Sequence, residues 1–124
     1  MRKIYTGCFD NLDYYLEEGL IPININTECP VYFEGRNWLC FSPDLPLYIK
    51  FKNGEISEFT FHEEFNKKLN SLDKEKTKEL LGSVENPILL TTEPQGVYSP
   101  RHQVADWIEN NLGVVCDEYP EKVL

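Results

Sequence analysis

Stretches with strand spacing and stretches with helical spacing alternate along this chain, and at both ends they run in the order strand, helix, strand. Lys3 to Cys8 is short and rich in β-formers. Leu12, Tyr15 and Leu16 then share a helical face behind a candidate cap at Asp10, with Gly19 as the stop. Leu20 to Asn26 alternates Ile21, Ile23 and Ile25 with polar Asn24 and Asn26, the period of a strand. Near the other end, Pro87 to Thr92 reads as a buried strand. Val104, Ala105, Ile108 and Leu112 form the apolar face of a helix that Gly113 terminates, and Val114 to Tyr119 is a further strand. A helix between two strands returns the chain to its starting edge, so the strands it joins pair in parallel. The pattern predicts an α/β fold: a small, mainly parallel sheet of about four strands, flanked by helices in three layers.

The middle of the chain is less regular. Ser57 caps a helix in which Phe61, Phe65, Leu69 and Leu72 fall at i, i+4, i+8 and i+11, and a shorter helix runs from Asp73 to Gly82. Thr27 to Phe41 has no period but carries Tyr32, Phe33, Trp38 and Phe41, which suits a long loop packed over a face or pocket. Leu47 to Lys52, followed by Asn53-Gly54, fits either a hairpin turn or a helix opened by Ser42-Pro43. The 124 residues suffice for one domain spanning 1–124, with no repeat and no linker.

The formal charge of −9 disfavours direct DNA binding, because tracking phosphates requires lysine and arginine. Thr6 to Gly35 holds six acids and no base, and Asp106 to Leu124 holds five acids against Lys122 alone. These are either solvated faces or a surface that docks on a basic partner. Met1-Arg2-Lys3 leads into no signal-peptide core, and the longest apolar runs, Trp38 to Phe41 and Ile88 to Leu90, are too short for a bilayer, so a cytoplasmic protein is expected. Cys8, Cys29, Cys40 and Cys116 form no CxxC pair and have no histidine at zinc spacing, so they read as buried or free thiols and no metal is expected. No cofactor motif is present, and self-association is compatible with the sequence.

One constellation has chemical content. The strand ending Leu89-Leu90-Thr91-Thr92-Glu93 runs through Pro94-Gln95-Gly96-Val97-Tyr98 into a helix opened by Ser99-Pro100, with Arg101 and His102 in its first turn. Ser99 is a good cap and Pro100 a good first helical residue. A helix N-terminus favours an anion by about 0.3–1 kcal/mol. A bidentate arginine contact adds about 1.5–3 kcal/mol, and histidine can donate a bond or move a proton. In open α/β sheets ligands bind beyond the carboxyl ends of the strands, where the first strand would also deliver Cys8. Ser99, Arg101, His102, Glu93, Thr92, Cys8 and Tyr98 are therefore the candidate ligand-binding residues. Other readings stand beside this one: a ligand-free Ser-Pro helix start, Arg101 bridged to Glu93, His102 packed under the Trp38 loop, or nucleophilic chemistry by Ser99 with His102 or by Cys8. Glu63-Glu64 and Glu17-Glu18 point to different sides of their helices and form no catalytic dyad. No residue is assigned a catalytic role.

The same stretch resembles the small phage and bacterial proteins grouped as domain of unknown function 488. Their signature, Leu-Leu-Cys-Tyr-Glu, a Lys-Pro-Gly loop, and Cys-His-Arg-His opening a helix with Val-Ala-(Glu/Asp)-Trp-Leu, aligns without a gap on Leu89 to Glu93, Pro94 to Gly96, Ser99 to His102 and Val104 to Ile108. Ile25, Asn26, Thr27 and Pro30 are similar to the family's upstream strand and its Ile-Ser-Arg. The match at Asn53 to Ser57 implies a helix over Pro43 to Lys52. The chain departs from the signature at Thr91 and Ser99, which stand where the family has cysteines, at Pro100 for a histidine and at Thr27 for an arginine. Glu93, Arg101 and His102 remain. The resemblance implies a cationic pocket without its thiols. Three functions follow as expectations: a binder of a small anionic, phosphorylated or nucleotide-like ligand, sequestering a host defence signal in a phage setting; an acidic inhibitor of a basic host nucleic-acid-binding protein; and a nucleotide-processing enzyme using His102 and Glu93. The binder is favoured.

Overall fold

The computed structural model describes residues 3–121; Met1 and Arg2, and Lys122 to Leu124 with the lone base of the acidic C-terminal stretch, lie outside them. The strands are β1 (Ile4–Cys8), β2 (Ile21–Asn24), β3 (Arg36–Asn37), β4 (Pro87–Thr91) and β5 (Cys116–Glu118). The helices are α1 (Leu12–Glu17), α2 (Leu45–Lys52), α3 (Glu58–Asn70), α4 (Lys74–Gly82) and α5 (Pro100–Leu112). All four strand pairings are parallel, in the order β3-β2-β4-β1-β5. This is the expected α/β sheet with five strands instead of about four. The added strand, β3, is two exposed residues inside the expected loop, too short to show an alternation.

The sheet separates two apolar layers. Ile4, Ile23, Ile25 and Leu89 face α2 to α5 and pack with Phe65, Leu69, Leu81, Val104 and Ile108. Ile88 and Leu90 face the other way, onto Phe9, Tyr15 and Leu20 around α1. β4 lies between β2 and β1 with both faces covered, which is why all five of its residues are buried. Asn24 and Asn26, expected on a polar face, are buried. The Asn24 amide donates to Asn37 Oδ1 (2.8 Å) and accepts from the Asn26 N–H (2.9 Å), so it pins β3 and turns the chain out of β2.

Three local expectations are corrected. Asp10 does not cap α1. The chain first makes a 3₁₀ turn over Phe9–Asn11, in which Cys8 Sγ accepts from the Asp10 N–H, and α1 begins behind Asn11. Leu16 is half exposed because only Tyr15, with Leu12 beside it, reaches the sheet. Ser42-Pro43 does not open α2; the helix starts after Asp44, with a proline in its first turn. The helical reading of Leu47 to Lys52 holds, and Ser57 and Ser99 cap α3 and α5 as expected. Gly113 ends α5 at φ 68°, a left-handed conformation that suits glycine. Cys8, Cys29, Cys40 and Cys116 are free thiols, Cys8 and Cys116 being buried. Burial pushes the Cys116 thiol up to about 12, with Glu109 and Asp117 adding to the shift. Among the described residues no helix is long and apolar enough to cross a membrane.

Tyr15 lies so close under β1 that a Cβ on Gly7 would sit 2.5 Å from its hydroxyl oxygen, which itself accepts the Cys8 N–H at 3.1 Å. The Tyr15 ring is fully buried and has nowhere to retreat. Gly7→Ala is expected to lower unfolding stability by about 1–3 kcal/mol through overpacking. Urea titration followed by circular dichroism checks it, and an unchanged midpoint would show that the ring moves freely.

Candidate functional site

β4 ends in Thr91, and the 92–98 loop carries the chain to the Ser99 cap of α5. Gly96, at φ 83°, makes the reversal in this loop, and Gln95 Nε2 donates to the Tyr119 carbonyl just beyond β5 (3.1 Å). Ser99 Oγ accepts the Arg101 N–H (3.3 Å), donates to Glu93 Oε1 (2.8 Å) and lies 2.6 Å from Thr91 Oγ1. Thr91 Oγ1 in turn accepts from Arg101 Nη1 (2.8 Å). Since Ser99 has one hydroxyl proton and gives it to Glu93, Thr91 donates to Ser99. The protons are thus ordered along one chain, Arg101 to Thr91 to Ser99 to Glu93.

Arg101 is the centre of this arrangement and has no exposed surface. Its Nε and Nη2 donate to the two carboxylate oxygens of Glu118 at 2.9 and 2.7 Å, and Nη1 also reaches the Glu93 carbonyl at 2.6 Å. Thr6 Oγ1 donates to the same Glu118 at 2.7 Å, and His102 Nε2 stands 3.7 Å away, 41% exposed. Burial by itself pushes the Glu118 carboxyl up. The hydrogen bonds from Arg101 and Thr6, the nearby His102 and the arginine's charge outweigh it and hold the group well below the usual carboxylate range.

In this geometry the groups expected to hold an anion are engaged with one another. Arg101 bridges to Glu118, not to the Glu93 carboxylate, and four of its five N–H groups are occupied inside the protein. The first-turn N–H groups of α5 are also taken, Arg101 by the Ser99 side chain and His102 by the Ser99 carbonyl (3.0 Å). The carboxylates of Glu93 and Glu118 already stand at the positive end of the helix. With the Arg101 charge already matched by Glu118, a further anion there would also meet the Glu93 carboxylate.

The other candidate residues separate. Cys8 is buried, its Sγ reaches the Thr92 carbonyl at 3.6 Å, and burial foremost pushes its thiol up, the opposite of an activated nucleophile. Thr92 is exposed beside it. The Ser99 hydroxyl donates to the Glu93 carboxylate, with no side-chain hydrogen bond to His102 among the described residues. His102 sits at Glu118, not under the Trp38 loop. Tyr98 turns the opposite way: its ring lies 4.2 Å from that of His62 and meets Phe61 edge-on, and its hydroxyl donates to Gln103.

Tyr98 and Glu93, with Pro100, line a cleft of about 260 Å³ whose other walls are Tyr48, Phe51 and Lys52 of α2, Glu58 and Phe61 of α3, and Val97. Lys68 of α3 positions α2 across from the loop. Its ammonium donates to the carbonyls of Leu39 (3.1 Å) and Ser42 (2.6 Å) and to Asp44 Oδ1 (2.7 Å), fixing the chain just before α2. Sequence reasoning missed Tyr48, Phe51, Lys52, Glu58 and Phe61 as site residues. Tyr48, Phe51 and Lys52 lie at i, i+3 and i+4, a signal that counts only once α2 is a helix. Among the described residues no group of three histidine, cysteine, aspartate or glutamate side chains is placed to hold a metal ion.

Compared with protein-family models, curated proteins and solved structures, the chain gives no match.

Removing Glu118 leaves Arg101 buried without a counter-charge. Glu118→Ala is expected to cost about 3 kcal/mol, the low end for a broken buried pair because the carboxylate keeps some exposure. Its folded pKa is depressed, so its contribution is complete above the unfolded value of about 4.3 and is lost as pH falls through the folded one. Denaturant titrations of both proteins from pH 7 down to pH 3 should show the gap narrowing below about pH 4. A gap independent of pH would show that the carboxylate's charge contributes nothing.

Proposed function

We propose that the protein is a binding protein, not an enzyme, and that its ligand is a small molecule or side-chain-sized group held in the cleft between α2, α3 and the β4–α5 loop. The cleft carries this reading: it is concave, walled by four aromatic rings, and its polar groups are few and convergent, Lys52, Glu58 and Glu93. Its volume of about 260 Å³ lies just under the range of roughly 300–1,000 Å³ typical of ligand sites, so a fragment-sized ligand fits it best. The groups suited to covalent or acid–base work support binding over turnover, since Cys8 is held as the thiol and the Ser99 hydroxyl is tied into the internal chain. For a nucleotide, the ligand expected from the sequence, the base has the Tyr98 ring to stack on, but its phosphate would meet Glu58 and Glu93 as well as Lys52.

Val97 is half exposed at the cleft edge, so Val97→Trp fills the space without disturbing the core. Native mass spectrometry of the protein purified from cells is expected to show a retained small-molecule mass that Val97→Trp loses. For a ligand identified in this way, Tyr48→Ala is expected to weaken binding by about fivefold or more, the worth of one aromatic contact. Retention of the same mass by Val97→Trp would place the ligand elsewhere and overturn the reading.

A further inference from the structure

Charge and ring geometry in the cleft select the sign of what it holds. Glu58 and Glu93 enter it from two different elements, and Lys52 is the cation of its lining. The Tyr98 phenol is pushed up first by burial and then by Glu58 and Glu93, and the Tyr48 phenol by burial and then by Glu28 and Glu93. A third carboxylate, Glu28, is thus within electrostatic range. Against these negative groups the rings present their faces and edges in several directions. Phe51 stacks on Phe61 at 4.4 Å, and Phe61 stands at 85° to Tyr98. One ring face is already in use: the Lys52 ammonium lies over Tyr48, 5.3 Å from the ring centre. Aromatic faces attract positive charge, and carboxylates accept its N–H groups or balance it. A phosphate would meet two carboxylates and one lysine.

We propose that the cleft binds an organic cation, an alkylammonium or guanidinium group, and that Lys52 occupies the cation's place over Tyr48 until it arrives. This rests on the cleft being the binding site. The group has two sources with the same chemistry, a lysine or arginine side chain of a basic protein or a free small amine, and an acidic chain of charge −9 suits either.

The test is a chemical-shift titration of the full ¹⁵N-labelled chain at constant ionic strength. The probes are N-acetylarginine methylamide, tetramethylammonium chloride and adenosine monophosphate. At least one of the two cations is expected to shift the amides of Tyr48, Phe61 and Tyr98 saturably, while the nucleotide leaves them in place. Tighter binding of the arginine derivative identifies a protein side chain as the source, and tighter binding of tetramethylammonium a free amine. Glu93→Gln, which keeps the acceptor for Ser99, and separately Glu58→Gln on the exposed start of α3, are each expected to weaken the cation by about tenfold. Lys52→Ala is expected to tighten it by about threefold, because an internal competitor is removed. Weaker cation binding in Lys52→Ala, or cleft shifts produced by the nucleotide and by neither cation, would overturn the cation while leaving the cleft as the binding site. No shift from any probe, together with a retained mass that Val97→Trp does not lose, would overturn both.

Discussion

The contact between Arg101 and Glu118 holds together parts of the chain that have little else in common. Arg101 belongs to the first turn of α5, Glu118 to the three-residue edge strand β5, Thr91 to the end of β4, and Thr6 to β1. A strand as short as β5, paired on one side only, has few hydrogen bonds to keep it in the sheet. The bidentate carboxylate gives it a second attachment through α5. Taking two charges out of water is costly, and the cost is offset here because both groups keep nearly full sets of hydrogen-bond partners. Removing one member would strand the other, so the group behaves as a unit.

The same unit shapes the surface at the carboxyl ends of the strands. By drawing in the Glu93 carbonyl and the Ser99 hydroxyl, it closes the α5 mouth with the chain's own polar groups. The 92–98 loop is then held in its first half by Arg101 on the Glu93 carbonyl and by Gln95 on Tyr119. That turns Tyr98 and Glu93 outward toward α2 and α3. The concavity therefore adjoins the start of α5, sharing Glu93 and Tyr98 with the place that charge and spacing along the chain suggest, while its other walls come from α2 and α3.

How much of this is legible in the residues differs from element to element. α3 and α5 repeat apolar residues over three turns and carry serine caps, so period and cap agree. α2 buries none of its residues fully, and two of its apolar side chains, Leu45 and Ile49, face solvent, so periodicity alone cannot separate it from a hairpin. β3 exists because Asn24 and Asn37 meet across it, a side-chain contact between residues 13 apart that no local rule encodes. Asp10 is not the cap because it lies inside a 3₁₀ turn that Cys8 caps, which moves the start of α1 to behind Asn11. At the site, Ser99 as cap and the gathering of Glu93, Ser99 and Arg101 at one helix start were readable. The partner of Arg101 was not, since Glu118 lies 17 residues on, in a strand whose register depends on the whole sheet.

Local chemistry by itself determined the alternation of strands and helices, their parallel pairing, and the caps of α3 and α5. Each of these follows from the spacing of apolar residues or from the residue that precedes a helix, and both are properties of the chain before it folds. Only the tertiary structure decided that Arg101 is buried against Glu118, and that aromatic rings of α2, α3 and the β4–α5 loop wall an open cleft. A guanidinium pairs with whichever carboxylate the sheet register brings to it, and a cavity is the space left after every element has docked. Neither is a property of any single segment.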